Sequence, residues 1–260
     1  MKARILVAAT QIMLSSTAMP AESPDTLQLH AFAALNPIAT TTNNFFGNTD
    51  DNVSFEFWEL GLNASWRPTP EILLSAQVTS RRAGAEDDGQ PRLDYGLLTY
   101  TIVNNKRMRA GIRLGRVLNP LGLYNETRDV AFTRNSILLP QSIYFERTRD
   151  LALSGDGLQL FAHRSTEIGD FYLQFNGGLP RTDDDGRSRR ALLGPFALGE
   201  FEPEPSFFGR LLYDLDGGRF RFAVSGGSLK LDYDPGGPTD PIADGRFDFR
   251  PLFFSAQYND

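Results

Sequence analysis

The chain of 260 residues contains 20 phenylalanines, 24 glycines and no cysteine, and its formal net charge is −6. The lack of cysteine excludes disulfide bonds and thiolate metal sites, and the aromatic content is too high for a disordered chain. A bundle of membrane-spanning helices is also excluded, because the only long apolar stretch lies at the N-terminus.

The first residues have the pattern of a cleaved export signal. Lys2 and Arg4 form a short basic region, and the apolar run that follows is too short to span a bilayer. Small residues come next, and cleavage after Ala18 or after Ala21 fits them. We therefore expect residues 1–21 to be a signal peptide.

The rest of the chain alternates apolar and polar residues with the period of two that is typical of β-strands. Sustained helical periodicity is absent from the sequence. The alternation predicts ten strands, near residues 26–35, 53–66, 71–81, 93–103, 107–117, 156–163, 169–176, 206–214, 219–231 and 248–258.

The connections between these predicted strands alternate in length. Each odd-numbered strand is followed by a long connection and each even-numbered strand by a short one, for example at Arg67-Pro68-Thr69-Pro70. Outer-membrane barrels have all their long loops at one end in this way, whereas a soluble β-sandwich has no reason to separate them. We therefore expect residues 22–260 to form an all-β, antiparallel up-and-down transmembrane β-barrel with about ten strands visible.

The second predicted strand illustrates the two faces. Trp58 and Trp66 lie on its apolar face, eight residues or about 26 Å apart, and Glu59 and Asn63 lie on its polar face. After the usual strand tilt, the two tryptophans lie about 20 Å apart along the membrane normal, close to the height of a barrel's apolar band. The fourth strand is ambiguous, since Leu97 and Leu98 are both apolar. Alternation alone also fits a water-soluble sheet whose apolar face packs inward.

Arginine is the charged residue that the polar faces display. All but three of the 26 basic residues are arginine, and residues 81–150 carry twelve basic and eight acidic side chains. In a barrel, Arg81, Arg109 and Arg113 would point into the lumen. Arg210 and Arg221 would lie near them if the curvature of the barrel wall brings the later strands close. Such a group would favour anions, because guanidinium binds carboxylate and phosphate in two-point fashion. The alternative is a wall-stiffening network in which acidic residues neutralise the arginines, for example Asp94, Glu126, Asp129, Glu146 and Asp150.

The connection at 118–155 is too long for a simple loop. Its apolar centre includes Leu138, Leu139 and Phe145, which would be unfavourable in water, so we expect it to pack on another surface. Folding into the lumen would bury this centre and narrow the pore. It would also place four arginines at the constriction, namely Arg128, Arg134, Arg147 and Arg149. The alternative is a lid on the outer rim.

At the start of this connection the sequence resembles a known family. The segment Gly115-Arg116-Val117-Leu118-Asn119-Pro120-Leu121-Gly122-Leu123-Tyr124-Asn125 is similar to the segment that enters the inward loop of Gram-negative porins, especially those around the phosphate-selective porins. The segment Leu27-Gln28-Leu29-His30-Ala31-Phe32 resembles the first strand of such proteins. The resemblance implies a monomeric or homotrimeric diffusion pore with sixteen or eighteen strands. It does not identify a solute, and the lysine clusters of a phosphate-selective pore are absent.

Ten strands close too narrow a barrel for an inward loop. The chain also ends at Asp260. It lacks the terminal aromatic residue that looks like the usual assembly signal of this class. We therefore expect a barrel truncated at its C-terminus.

These patterns predict passive diffusion of small hydrophilic solutes across an outer membrane, with an anion preference from the arginines. The expected partners are outer-membrane lipid and small hydrophilic or anionic solutes. We expect no catalysis, cofactor, metal or nucleic acid. The alternative is a secreted or surface all-β binding module without a pore, for example one that binds carbohydrate.

Two other groups of residues have weaker interpretations. His30 and His163 are far apart in sequence and have no serine motif nearby, so a Ser-His hydrolase would need long-range pairing. The run Asp183-Asp184-Asp185-Gly186 and the residues Asp232, Asp234 and Asp240 lack the full spacing of a calcium loop. We expect solvated turns at both groups of aspartates.

Overall fold

The computed structural model describes residues 26–44, 46–84, 87–134, 136, 138–182 and 186–259. The predicted signal peptide and the acidic run at 183–185 lie outside these residues. The described chain forms one antiparallel sheet of twelve strands. The strands are β1 Thr26–Leu35, β2 Phe57–Arg67, β3 Ile72–Ala83, β4 Arg92–Asn104, β5 Met108–Leu118, β6 Ser154–Thr166, β7 Gly169–Pro180, β8 Glu200–Pro203, β9 Ser206–Leu215, β10 Phe220–Asp234, β11 Gly245–Phe249 and β12 Leu252–Tyr258.

Helical structure is confined to the connections. The helix α1 spans Arg187–Leu193, and short 3₁₀ turns lie at Ala131–Thr133 and Glu146–Thr148. A single π-helical turn, Arg149–Leu153, leads into β6. None of the described helices has both the length and the apolar character needed to cross a membrane.

The ten predicted strands are all present, and proline explains the two additional ones. Pro205 separates β8 from β9, and Pro251 separates β11 from β12. Proline has no backbone N–H to donate to the ladder, so it interrupts a strand. Both members of each interrupted pair still bond to β10. The prediction of an up-and-down antiparallel sheet is therefore confirmed.

The long and short connections alternate as predicted. The long connections cover 36–56, 84–91, 119–153, 181–199 and 235–244, and the short ones 68–71, 105–107, 167–168 and 216–219. In an up-and-down sheet this alternation places all long connections at one end. Among the described residues no pairing joins β1 to β11 or β12, so the sheet is open.

A bulge explains the ambiguous fourth strand. Val78 pairs with Leu93 and Gln77 pairs with Tyr95, which leaves Asp94 as an extra residue in β4. The extra residue changes the alternation of sides along the strand. As a result, Leu97 lines the same side as Arg113, while Leu98 pairs with Leu74 on the opposite side.

The long connection at residues 119–153, which we call the inner segment, packs on one side of the sheet. We call that side the inner face and the opposite side the outer face. The inner face buries polar side chains to between 1% and 6% exposure: Glu59, Gln77, Gln159, Asn176 and Arg210. The outer face leaves leucine and phenylalanine exposed, as at Leu62 (55%), Leu173 (55%) and Phe254 (74%). A soluble sheet with its apolar face packed inward has the opposite arrangement.

One part of the inner face is apolar. Phe208 on β9 and Leu229 and Leu231 on β10 form a buried cluster with Leu121 and Leu153 at the ends of the inner segment. Further members of the cluster lie on β8, α1 and β11, namely Phe201, Leu192 and Phe247. The inner segment therefore spans two surfaces, one polar over β2–β7 and one mainly apolar over β8–β12, where Arg210 and Ser225 are polar exceptions.

Candidate pore-lining site

The inner segment is attached to the wall by backbone and side-chain hydrogen bonds. The Gly122 N–H donates to Ser225 Oγ at 2.8 Å, and Arg210 Nη1 donates to the Gly122 carbonyl at 3.0 Å. The Tyr124 N–H donates to the Tyr144 hydroxyl at 2.8 Å. These bonds fix the first turn of the segment against β9 and β10.

Asn125 joins the two ends of the inner segment. Its side-chain amide donates to the Asn119 carbonyl at 2.6 Å and to the Leu153 carbonyl at 2.7 Å. The residue is fully buried. Because buried polar groups are costly unless they are paired, this amide favours a closed base for the segment.

The first cluster of charges lies between the inner segment and β4. Arg149 Nη2 lies 2.7 Å from Asp94, and its Nη1 lies 2.7 Å from Asp129 and 3.2 Å from Glu146. Arg128 Nη2 lies 3.4 Å from both Asp94 and Asp129. Three carboxylates thus surround two buried arginines.

The cluster continues onto β2 and β3. Arg81 Nε lies 3.1 Å from Glu59, and Arg81 Nη1 lies 3.8 Å from Glu146. Arg134 from the inner segment also pairs with Glu59 and donates to the Arg128 carbonyl at 2.8 Å. The inner segment is therefore linked by ion pairs to three neighbouring strands.

The carboxylates of the inner segment are stabilised in their ionised form. Burial opposes ionisation of Asp129, but the charges of Arg149 and Arg128 outweigh it and lower the pKa of Asp129 below its ordinary value. Burial likewise opposes ionisation of Glu146, and Arg149, Arg81 and Arg128 lower its pKa. Both groups are therefore charged at neutral pH, and their pairing favours the docked segment.

A second cluster lies under β5, β6, β7 and β9. Arg113 Nη1 lies 3.4 Å from Glu126 and also donates to Gln159. Glu126 pairs with Arg210 as well and accepts a hydrogen bond from Gln174 at 2.7 Å. Burial opposes ionisation of Glu126, but Arg210 and Arg113 lower its pKa.

This second cluster borders a cavity of about 280 Å³ on the inner face. Arg109, Arg113 and Glu126 line it, together with Tyr95, Thr99 and Gln159. Among the described residues the guanidinium group of Arg109 has no ion-pair or hydrogen-bond partner. Arg113 and Arg210 pair with the single carboxylate of Glu126, and Arg109 lines the cavity beside this cluster. Three arginines and one carboxylate thus leave two net positive charges here.

The structure separates the seven predicted pore-lining arginines into three groups. Arg81, Arg128, Arg134 and Arg149 belong to the first cluster, and Arg109 and Arg113 line the cavity. Arg147 lies elsewhere, beside a cavity of about 470 Å³ that Arg187 and Arg190 also line. The network of arginines and acids is thus formed at the first cluster, while excess positive charge remains at the second.

Two expected neighbours lie outside both clusters. Asp150 pairs with Arg181 at 3.6 Å and not with the arginines of the inner segment. Arg221 pairs with Asp214 at 3.4 Å. The sequence had placed Glu59 on the polar face, but it gave no signal that Arg134, 75 residues away, would bond to it.

The aspartates and the histidine outside the two clusters contact neighbouring side chains or backbone groups. Asp240 accepts hydrogen bonds from the Tyr233 hydroxyl at 2.6 Å and from the Ile242 N–H at 3.0 Å, and Asp232 pairs with Arg246 at 3.0 Å. Within the described part of the chain, no group of three or more His, Asp or Glu side chains could hold a metal ion. His163 lies 3.5 Å from Asp170 and stacks on Tyr172.

Comparison with known proteins adds no relative to this geometry. No protein-family model matches the chain, and no curated protein and no solved structure matches it. The sheet, the inner segment and the two charge clusters are therefore the features from which a function can be inferred.

Proposed function

We propose that this chain forms the wall and the constriction of an outer-membrane porin through which small hydrophilic solutes, preferentially anions, diffuse passively. The observation that carries the proposal is the distribution of polarity across the sheet. Leucine and phenylalanine side chains are exposed on the outer faces of strands from β1 to β12, as at Leu29, Leu62, Leu160, Leu211 and Phe254. Monomeric soluble proteins rarely expose apolar patches beyond a few hundred Å², whereas a barrel wall in lipid requires one.

Aromatic side chains on the outer face support the same orientation. Six of them lie within four residues of a strand end, at the end of the sheet that carries the short turns: Trp66, Tyr100, Phe171, Tyr213, Phe220 and Tyr258. Aromatic girdles mark the two interfaces of membrane barrels. In the proposed orientation these residues lie at the periplasmic interface, and the long connections lie outside the cell.

The proposal includes closure of the sheet into a barrel. Lipid cannot satisfy the backbone N–H and C=O groups at an open edge, so the free edges of β1 and of β11 and β12 require strand partners in a bilayer. The barrel must also be wide enough to hold the inner segment. The resemblance to sixteen- and eighteen-stranded porins, monomeric or trimeric, fits this requirement.

Selectivity in the proposed pore comes from the second cluster. The first cluster is balanced by its carboxylates, so it narrows the lumen without a strong preference for either sign. The two net positive charges beside the 280 Å³ cavity attract anions.

The test uses the purified chain, refolded in detergent. We expect heat-modifiable mobility in gel electrophoresis and ion conductance in planar bilayers. A monodisperse protein in water without detergent would contradict the proposal and would favour a secreted binding module.

The same bilayers test the arginines. Replacing Arg109 and Arg113 together with glutamine removes two positive charges from the cavity, so anion permeability relative to cation permeability should fall. The reversal potential in a salt gradient measures this ratio. Arg219→Gln is the matched control, because Arg219 lies half-exposed beside Asp216 at a short turn. An unchanged reversal potential in the double variant would count against this role of Arg109 and Arg113.

A further inference from the structure

A second cavity on the inner face has a chemistry different from that of the arginine cavity. It has a volume of about 210 Å³ and lies between the inner segment, α1 and the strands β9–β12. Five phenylalanines line it: Phe145, Phe208, Phe247, Phe249 and Phe253. No described residue that lines it is charged.

The register of the strands places these rings inward. Phe247 and Phe249 on β11 pair with Leu231 and Leu229 on β10, both of which belong to the inner apolar cluster. Phe253 on β12 pairs with Ser225, whose hydroxyl accepts the bond from the inner segment. This part of the wall therefore shows aromatic rings to the inside, whereas β2–β7 show polar groups.

The floor of the cavity is apolar and buried. Leu153, Phe208 and Leu229 are between 1% and 3% exposed. A water molecule would bind weakly in such a site, because a buried water needs two to four polar partners. An unfilled void of this size is also unfavourable, since the lining atoms lose their packing contacts.

The mouth of the cavity is partly polar and open. Phe145 and Phe249 remain 38% and 45% exposed, and Gln141 and Ser142 lie beside them on the inner segment. The solvent-exposed lining residues are thus two aromatic rings, an amide and a hydroxyl, so a ligand that enters here can point one polar substituent towards the amide and the hydroxyl.

From the volume, the rings and the absence of charge, we propose that this cavity binds a small neutral molecule with one aromatic ring and at most one polar substituent, such as a phenol. A cavity of roughly 150 Å³ with an apolar lining holds benzene, so about 210 Å³ suits a substituted ring. A charged ligand is disfavoured, because it would leave its charge unpaired on an apolar floor. The proposal does not depend on conductance, since the cavity is formed by the described sheet, the inner segment and α1.

The experiment titrates the refolded full chain with 4-fluorophenol and follows the ¹⁹F signal of the probe. We expect saturable binding, which Ala152→Phe abolishes, because Ala152 lines the cavity and the added ring fills it. Ala256→Phe is the matched control, since it adds the same ring on the exposed outer side of β12 and should leave binding unchanged.

Two variants at the mouth keep the proposal testable if Ala152→Phe does not fold. Phe145→Ala and Phe249→Ala each remove one half-exposed ring and should weaken binding by about twofold to tenfold. Non-saturable uptake that is equal in all variants would show partition into detergent and would overturn the proposal. Cross-relaxation from detergent acyl chains to the cavity rings, undisturbed by the probe, would also overturn it by identifying an acyl chain as the occupant. The conductance of the same preparation reports separately on the porin proposal.

Discussion

At the scale of single residues, the charge beside the 280 Å³ cavity depends on one carboxylate. Glu126 lies between Arg113 and Arg210 and is about one-third exposed. Its pKa is lowered, so it is ionised at neutral pH and offsets one of the three positive charges there. It is thus the residue that limits the anion preference of the proposed pore.

We predict that Glu126→Gln increases the anion preference. The amide keeps hydrogen-bonding capacity for Arg113 and Arg210 but removes the negative charge that opposes them. The reversal potential of the reconstituted protein should therefore move further in the direction of anions. Asp248→Asn removes the same charge from the Asp248–Arg250 pair on β11 and should have no effect on selectivity. A shift towards cations in Glu126→Gln would contradict the assignment.

Gly122 is the residue on which the turn of the inner segment depends. Its φ is +56°, and an added Cβ would overlap the Tyr144 hydroxyl that accepts the Tyr124 N–H. Gly217 has a similar φ of +63° in the last short turn, but an added Cβ there meets nothing within 4 Å. The two glycines therefore share the same backbone strain and differ in packing.

We predict that Gly122→Ala lowers the free energy of unfolding more than Gly217→Ala does. A left-handed alanine costs about 1–2 kcal/mol at either position, and the overlap with Tyr144 adds a further cost of about 1–3 kcal/mol at Gly122. Urea unfolding of the two variants in the same detergent measures the difference. Equal losses would mean that the turn does not pack on Tyr144 as described.

At the scale of elements, the inner segment is attached to the polar wall mainly through buried ion pairs. Such pairs are costly to desolvate, and breaking one by removing a partner typically costs about 3–5 kcal/mol. They also specify where the segment lies, because each arginine needs its own carboxylate. The segment is therefore sensitive to the ionisation of Asp129, Glu146 and Glu126.

We predict that acid releases the inner segment. The pKa values of Asp129, Glu146 and Glu126 are all lowered in the folded state. Their contribution to docking is thus complete above the ordinary carboxylate pKa of about 4 and is lost as the pH falls through the lowered values. A fluorophore on Phe132→Cys should gain rotational freedom over that range. The same label on Lys106→Cys, in a short turn, should not change before global unfolding. Release on raising the pH from neutral to 8 would contradict the assignment.

The elements also show what could be predicted from the sequence. Period-two alternation predicted all ten strands and the alternation of connection lengths, because both are local properties of the chain. The bulge at Asp94 changed the alternation of sides in β4, and the breaks at Pro205 and Pro251 accompany two strands that were not predicted separately. The pairing of Arg134 with Glu59 and the phenylalanine cavity depend on contacts between distant parts of the chain, and no local pattern carries that information. The sequence could therefore predict arginines that face the lumen. It could not distinguish the arginines that are neutralised by carboxylates from Arg109, which is not.

At the scale of the whole molecule, the sheet has a polar face that is buried and an apolar face that is exposed. The inner segment makes this arrangement stable on one side by supplying partners to the polar wall. Lipid would supply the partner on the other side, as the proposed function requires. The exposed leucines and phenylalanines of the strands lie mainly on the outer face, whereas the arginines of the two charge clusters and the phenylalanine cavity lie on the inner face.

The most direct test is a single-cysteine scan along β6 and β7 in lipid vesicles, for which the chain is suited because it contains no cysteine of its own. Spin labels at consecutive positions report collisions with oxygen, which dissolves in lipid, and with a water-soluble nickel chelate. We predict a period of two, with labels at Leu158, Leu160, Leu173 and Phe175 accessible to oxygen and shielded from the chelate. Labels at Gln159 and Gln174 should show low accessibility to oxygen. If the labels at the outer positions instead collide freely with the chelate, or if the periodicity is absent, the apolar face does not lie in lipid and the porin proposal is wrong.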